Sequence, residues 1–203
     1  MITRLFKKIF TIATIAATAA ACSTNSGPVS DTIIGEKQSE LKNKVAELME
    51  TAGTDSSKVE FAQIRTSIVL RPNDNTTVVS IQIINPKDND KMEEFQWSDN
   101  KDRRNHTENL GITVSESLSG DVIDEYEGYK DMLFDYGYAS KFINKMPEYC
   151  KEALEASGYK DKGYVKSFSI EVDGAMISVG NKDSNTTSKT YRIDEEGNHI
   201  IQN

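Results

Sequence analysis

The chain has 203 residues, a net charge of −8 and 37% hydrophobic residues, which suits one medium domain or two small ones. Its 8 Tyr, 7 Phe and 1 Trp are too many aromatics for a disordered chain. Three of the 24 basic residues and none of the 32 acidic ones lie in the first 21 positions, leaving 21 basic against 32 acidic residues, a net −11 for the rest. So acidic a body repels phosphates and argues against nucleic acid as a partner. It is also poorly attracted to anionic lipid surfaces, so any membrane attachment must come from an anchor other than a basic patch.

The first segment, residues 1–21, reads as an export signal. Arg4, Lys7 and Lys8 make its start positive, and Ile9 to Ala21 is an uncharged, mostly apolar run. That run is too short to span a bilayer and has the length of a signal-peptide core. Small residues, Ala19-Ala20-Ala21, then precede Cys22. This stretch resembles the lipobox of bacterial lipoproteins, with a departure at Ala19, where Leu is commonest. The resemblance implies thioether attachment of diacylglycerol to Cys22 and cleavage before it. The Ala-x-Ala pattern also suits an ordinary secretory signal. Residues 22–35 read as the lipidated Cys and a flexible tether, being rich in Ser, Thr, Asn and Gly. Ser23 is not Asp, so the enterobacterial inner-membrane retention signal is missing, and the expected location is the outer membrane facing the periplasm. In the tether, Asp31-Thr32-Ile33 resembles the O-glycosylation acceptor of Bacteroidetes exported proteins, which would modify Thr32.

Beyond the tether, Leu41, Val45, Leu48, Met49 and Ala52 form one apolar stripe and predict a helix over Glu36–Ala52, stopped by Gly53. Strands are predicted at Val59–Leu70, Thr77–Ile83, Glu94–Trp97 and Leu110–Val114, with turns at Arg71–Asn75 and Asn85–Asp90 and a charged loop at Asp99–Asn105. Residues 121–139 read as a Tyr-rich connector in which Gly128 weakens a helical spacing. A second helix is predicted over Ser140–Ser157, either kinked at Pro147 or beginning there, and stopped by Gly158. Strands follow at Tyr164–Val172, Met176–Val179, Thr190–Ile193 and His199–Ile201. Of these connections, Val172-Asp173-Gly174-Ala175 is the best hairpin signal in the chain.

The expected fold class is therefore α+β, with two helix-plus-antiparallel-sheet units (α-β-β-β-β twice, residues 36–120 and 140–203) and the helices packed on one sheet face. Residues Ile64–Asp99 and Val165–Asp194 share the pattern strand, turn, strand, Asn/Asp-rich loop, aromatic strand ending in Asp. In its order of elements the exported part resembles the tandem helix-plus-sheet repeats of PepSY-like exported bacterial proteins and of β-lactamase inhibitory proteins. That resemblance implies a binding or inhibitory module and not an enzyme, and it carries no functional residue across.

The sequence offers little catalytic chemistry. His106 and His199 stand alone, and no metal-ligand spacing, nucleophile elbow, phosphate loop or dinucleotide fingerprint occurs, so no cofactor or metal is expected. The acidic sets Asp88, Asp90, Glu93 and Asp121, Asp124, Glu125 lack the spacing of a calcium loop and read as solvated turn charges. With Cys22 lipidated, Cys150 lies outside any intramolecular disulfide. It is a reactive thiol or a small buried hydrophobe, and its place in the stripe with Phe142, Met146 and Leu154 favours the second. All tyrosines fall from Tyr126 onward. Tyr126, Tyr129 and Tyr138 are candidate contact residues, since Tyr suits recognition surfaces. They can equally cover the sheet or cement the two halves. The function that emerges is a membrane-tethered, non-catalytic binding or structural module of the cell envelope, whose partner is an envelope protein or peptide. An exported inhibitor or chaperone-like protein acting on another protein is the alternative.

Overall fold

Residues 34–35, 38–70, 75–99, 106–109, 126 and 130–201 are described by the computed structural model. Cys22, Thr32, the expected strand Leu110–Val114, Tyr129 and the acidic set at 121–125 lie outside them.

Helix α1 (Leu41–Thr51) forms where Leu41, Val45, Leu48 and Met49 share one face, and all four are buried. A short 3-10 turn, Gln38–Glu40, leads into it. Helix α2 (Tyr136–Ser157) starts before the Ser140 predicted from the apolar spacing. Asp135 is the reason: its carboxylate accepts a hydrogen bond from the Tyr138 backbone N–H at 2.7 Å and caps the first turn. The connector therefore ends at Asp135 and not at residue 139. Pro147 lies inside α2, which is assigned as one helix from end to end. An interior Pro costs about 3 kcal/mol. Burial of Phe142, Ile143 and Met146 on the same helix, at about 1.5–3 kcal/mol each, exceeds that cost.

Among the described residues eight strands make one sheet: β1 (Phe61–Val69), β2 (Thr76–Asn85), β3 (Asp88–Ser98), β4 (His106–Asn109), β5 (Gly163–Glu171), β6 (Gly174–Asn181), β7 (Ser184–Ile193) and β8 (His199–Ile201). Their order is β4-β3-β2-β1-β5-β6-β7-β8, with each neighbouring pair antiparallel. Strand β4, His106–Asn109, lies just before the expected strand Leu110–Val114, which is outside the described residues. Strands β3, β6 and β7 are longer than their apolar cores suggested, because the polar segments Asp88–Lys91 and Ser184–Lys189 continue the ladder beyond the hydrophobic part. Among the described residues the architecture is α+β, an antiparallel sheet with helices α1 and α2 packed on it.

Register decides which side chains the helices cover. Phe95, Ile81, Ile64, Ile170, Ala175 and Ile193 are successive cross-strand partners from β3 to β7, so they share one face. All are buried, and they form one core with the apolar stripes of α1 and α2. Helix α1 covers β2 and β3, and α2 covers β5 and β6. Ile34 is buried in the same core, and the turn Gln38–Glu40 packs against both helices. Ile34 and Gln38–Glu40 therefore lie on the helix side of the sheet.

The two halves carry the same local devices. Gly53 and Gly158 follow α1 and α2 in left-handed conformations, φ 74° and 70°. The β1–β2 ladder shifts register between Phe61 and Gln63, and the β5–β6 ladder between Val165 and Ser167. The β2–β3 hairpin closes on Asn85 opposite Asp88, and the β6–β7 hairpin on Asn181 opposite Ser184. In each turn the Asn side-chain oxygen accepts a backbone N–H two residues on, from Lys87 at 2.8 Å and from Asp183 at 3.0 Å.

Candidate functional site

Strand residues alternate between faces, so the neighbours of the core residues point away from the helices. Gln96, Ser80, Arg65, Ser169, Met176 and Arg192 are successive partners across six strands, from β3 to β7 through the central β1–β5 pair. The next row runs Ser98, Val78, Ser67, Ser167, Ser178 and Thr190. On the other side lie Glu94, Gln82 and Gln63, and Gln63 donates to the Glu171 carboxylate at 2.9 Å. Among the described residues, the face turned away from α1 and α2 is thus a broad plate of hydroxyls and amides with few charges.

Short side chains keep this plate close to the backbone. Ser80 and Ser169 are 7% and 6% exposed, yet neither hydroxyl has a hydrogen bond among the described residues. At one end Tyr164 lies against Gly180, its cross-strand partner. A Cβ on Gly180 would sit 2.6 Å from that ring, so only Gly lets the ring lie flat there. Burial pushes the Tyr164 phenol up. Beside the β5–β6 hairpin a shallow depression of about 90 Å³ is lined by Glu171, Asp173, Met176 and Arg192. It is too small for most ligands, and the Arg192 guanidinium is held there by the Asp173 carboxylate.

Charge on the plate is unevenly spent. Arg192 has Asp173. The Glu171 and Glu94 carboxylates receive the amides of Gln63 and Gln82 at 2.9 and 3.3 Å. Arg65, exposed at the centre of the plate, has no ion-pair or hydrogen-bond partner among the described residues.

Of the tyrosines singled out from the sequence, Tyr126 and Tyr138 are described and Tyr129 is not. Tyr138 is on α2, where its ring packs at 5.4 Å from Phe134 and 5.2 Å from Phe142. Its hydroxyl donates to the Val172 carbonyl at 2.8 Å, which ties α2 to the β5–β6 hairpin. Burial pushes its phenol up. Tyr126 donates to the Glu60 carboxylate at 2.9 Å. Tyr149 and Tyr191 are buried. Tyrosine in this chain largely covers the core. Cys150 is fully buried in the α2 stripe, as its spacing implied. His106 and His199 fall on β4 and β8, at opposite edges of the sheet. No three His, Cys, Asp or Glu side chains converge among the described residues.

Nothing in the apolar spacing pointed to Arg65 and the serines. A usable signal was present in the alternation itself: Gln63-x-Arg65-x-Ser67, Ser167-x-Ser169-x-Glu171 and Met176-x-Ser178 place one polar row opposite each apolar one. No protein-family model, no curated protein and no solved structure matches this chain.

Proposed function

We propose that the chain is a lipid-anchored lipoprotein of the bacterial envelope, held through Cys22 at the outer membrane on the periplasmic side. Its folded part is a non-catalytic binding module that works through the open face of the sheet. The observation that carries this reading is the plate itself. Among the described residues, six strands present hydroxyls, amides and the unpaired guanidinium of Arg65 on the face turned away from α1 and α2, whereas those two helices cover the opposite face. The leader and the small residues before Cys22 support the anchor.

The repeated devices support a finer reading of the fold, in which the chain carries two copies of one helix-plus-four-strand unit joined edge to edge at β1 and β5. Val45 and Cys150 each stand eight residues before the glycine that ends their helix, as Leu41 and Met146 each stand twelve before it. Cys150 then fills the slot of an aliphatic residue. An exported inhibitor of another protein is the second reading, favoured by the breadth of the plate, which suits a protein surface better than a small molecule.

Two measurements test the proposal together. Labelled palmitate is incorporated by the wild type and not by Cys22→Ala. A photo-crosslinking residue at Ser67 or Ser178 captures a partner in intact cells, and one at Lys145 on α2 does not. Palmitate labelling that survives Cys22→Ala removes the anchor. Crosslinks from Lys145 alone move the binding surface to the helices.

A further inference from the structure

In the order β4-β3-β2-β1-β5-β6-β7-β8 each half runs from its fourth strand at the edge to its first at the middle. The register irregularities at Phe61/Gln63 and Val165/Ser167 align β1 with β5 residue by residue. Gln63, Arg65 and Ser67 then correspond to Ser167, Ser169 and Glu171. The observed partners are Ile64 with Ile170, Arg65 with Ser169, Thr66 with Phe168 and Ser67 with Ser167. Arg65 thus faces the residue that corresponds to itself, and the two-fold axis relating the halves passes between them. On the core face Ile64 corresponds to Phe168 and Thr66 to Ile170, so these four form two equivalent pairs.

A strand seam with this property is self-complementary. In the same register, each strand edge also fits its own kind on a second copy of the chain. Strand β5 against β5 of a second copy would oppose Ser169 to Ser169 and Phe168 to Ile170, all compatible. Strand β1 against β1 would oppose Ile64 to Thr66, but also Arg65 to Arg65. Like charges directly opposite each other on two strands repel. Pairing of the unlike halves avoids that contact. It also sets Gln63 against Glu171, whose carboxylate accepts the amide N–H at 2.9 Å. In the like pairings Gln63 would face Ser67 and Glu171 would face Ser167, and that amide–carboxylate bond is lost.

We infer that the seam edges of β1 and β5 are a latent interface for a second copy of this chain, and that Arg65, on the axis, selects pairing of the unlike halves within one chain. This rests on the two-unit reading above. The seam is short enough to need a selector: its ladder runs over Ile64–Ser67, whereas that of β1 with β2 runs over Phe61–Val69. A strand edge left open is a template for another chain. Once formed, the unlike pairing is fastened by a further tie, since Phe134, just before α2, and Phe61 on β1 exchange backbone hydrogen bonds at 2.9 Å. The choice between unlike and like pairing is therefore made during folding, before that tie closes.

The test unfolds the full chain in urea and refolds it over a range of concentrations in density-matched detergent, with mass followed by sedimentation. Relative to the wild type, Arg65→Ser raises the dimer association constant by about fivefold, the effect of one cross-strand pair. High salt, which screens Arg65 from its counterpart, raises the constant in the wild type and not in Arg65→Ser. Arg65→Glu again puts like charges on the axis and dimerises no better than the wild type. Refolded together, the wild type and Arg65→Glu give mixed dimers in excess of random assortment. A photo-crosslinking residue at Ser67, in a mixture of isotope-labelled and unlabelled Arg65→Ser, reads the register. It marks Ser167 of its own chain in the monomer and Gln63 of the second copy in the dimer. An unchanged constant in Arg65→Ser, or random assortment with Arg65→Glu, overturns the inference and leaves the two-unit reading intact. So do crosslinks to Ser167 of the second copy, which mean a plain exchange of unlike halves. Dimers of Arg65→Ser whose crosslinks reach neither Gln63 nor Ser167 of the second copy remove the two-unit reading as well.

Discussion

The half of the sheet built on α1 and the half built on α2 share the Asn turn between their second and third strands, but they join their first two strands differently. In the second half β5 and β6 are joined through Val172 and Asp173 alone, and Gly174 takes φ 124°. In the first half β1 and β2 are separated by residues 70–75, with Val69 opposite Thr76. The second helix has 22 residues against 11 in the first. A tight hairpin fixes register by itself, whereas a longer connection leaves register to the hydrophobic faces of the strands. The second half is thus held by local geometry and the first by packing.

Gly174→Ala breaks that comparison hardest. A Cβ there would lie 1.9 Å from the Ile193 carbonyl oxygen, which belongs to β7, so the backbone must move and not a side-chain tip. Strain of this kind costs about 3 kcal/mol or more when φ is also positive. Urea unfolding of Gly174→Ala is expected to show a loss of that size. A loss below about 1 kcal/mol would mean that β7 can shift and that the hairpin does not set register.

Legibility followed the same division. The Asp173-Gly174 turn and both helix-ending glycines were readable because each needs a particular residue. The stripes of α1 and α2 were readable because burial repeats at helical spacing, which also placed Cys150 correctly. Strand ends were not, since Asp88–Lys91 and Ser184–Lys189 are polar and pair only because their hairpins carry the ladder outward. The start of α2 was missed because Gly137 and two tyrosines hid the Asp135 cap. Tyr138 drew attention as a loop residue, and the cap places it in a helix. The plate was missed because serine on a strand carries no hydrophobic signal. Its meaning comes from which strands stand side by side, and that requires the β1–β5 pairing.

The slot shared by Val45 and Cys150 gives a medium effect. If both positions are apolar seats of one kind, Cys150→Val is near neutral, within about 1 kcal/mol, because volume and polarity are nearly kept. Cys150→Ser buries a hydroxyl at a fully covered position and is expected to cost about 1–3 kcal/mol. The wild-type thiol is expected to react slowly with a thiol reagent in the native state and quickly in denaturant. Fast native labelling, or Cys150→Val as damaging as Cys150→Ser, would show that the thiol does something an aliphatic residue cannot.

The smallest effect separates the two Asn turns. Asn181 is used once, through the oxygen that accepts the Asp183 N–H. Asn85 is used twice, since its amide also donates to the Glu93 carboxylate at 3.0 Å, across the hairpin from its own turn bond. A single exposed bond of this kind contributes at the low end of the usual range, about 0.5 kcal/mol, and a half-buried bond to a carboxylate contributes more. Asn181→Ala is therefore expected to cost about 0.5 kcal/mol and Asn85→Ala about 1 kcal/mol or more. Asp supplies the turn acceptor without the second donor, so Asn181→Asp should be nearly silent. Asn85→Asp should be costly above the carboxylate range of pH, where it sets two acids against each other, and milder once acid protonates them. Midpoints of urea unfolding at neutral pH and near pH 4 decide this. Equal costs for the two alanine variants would mean that the Glu93 contact contributes nothing and that the two turns are energetically the same device.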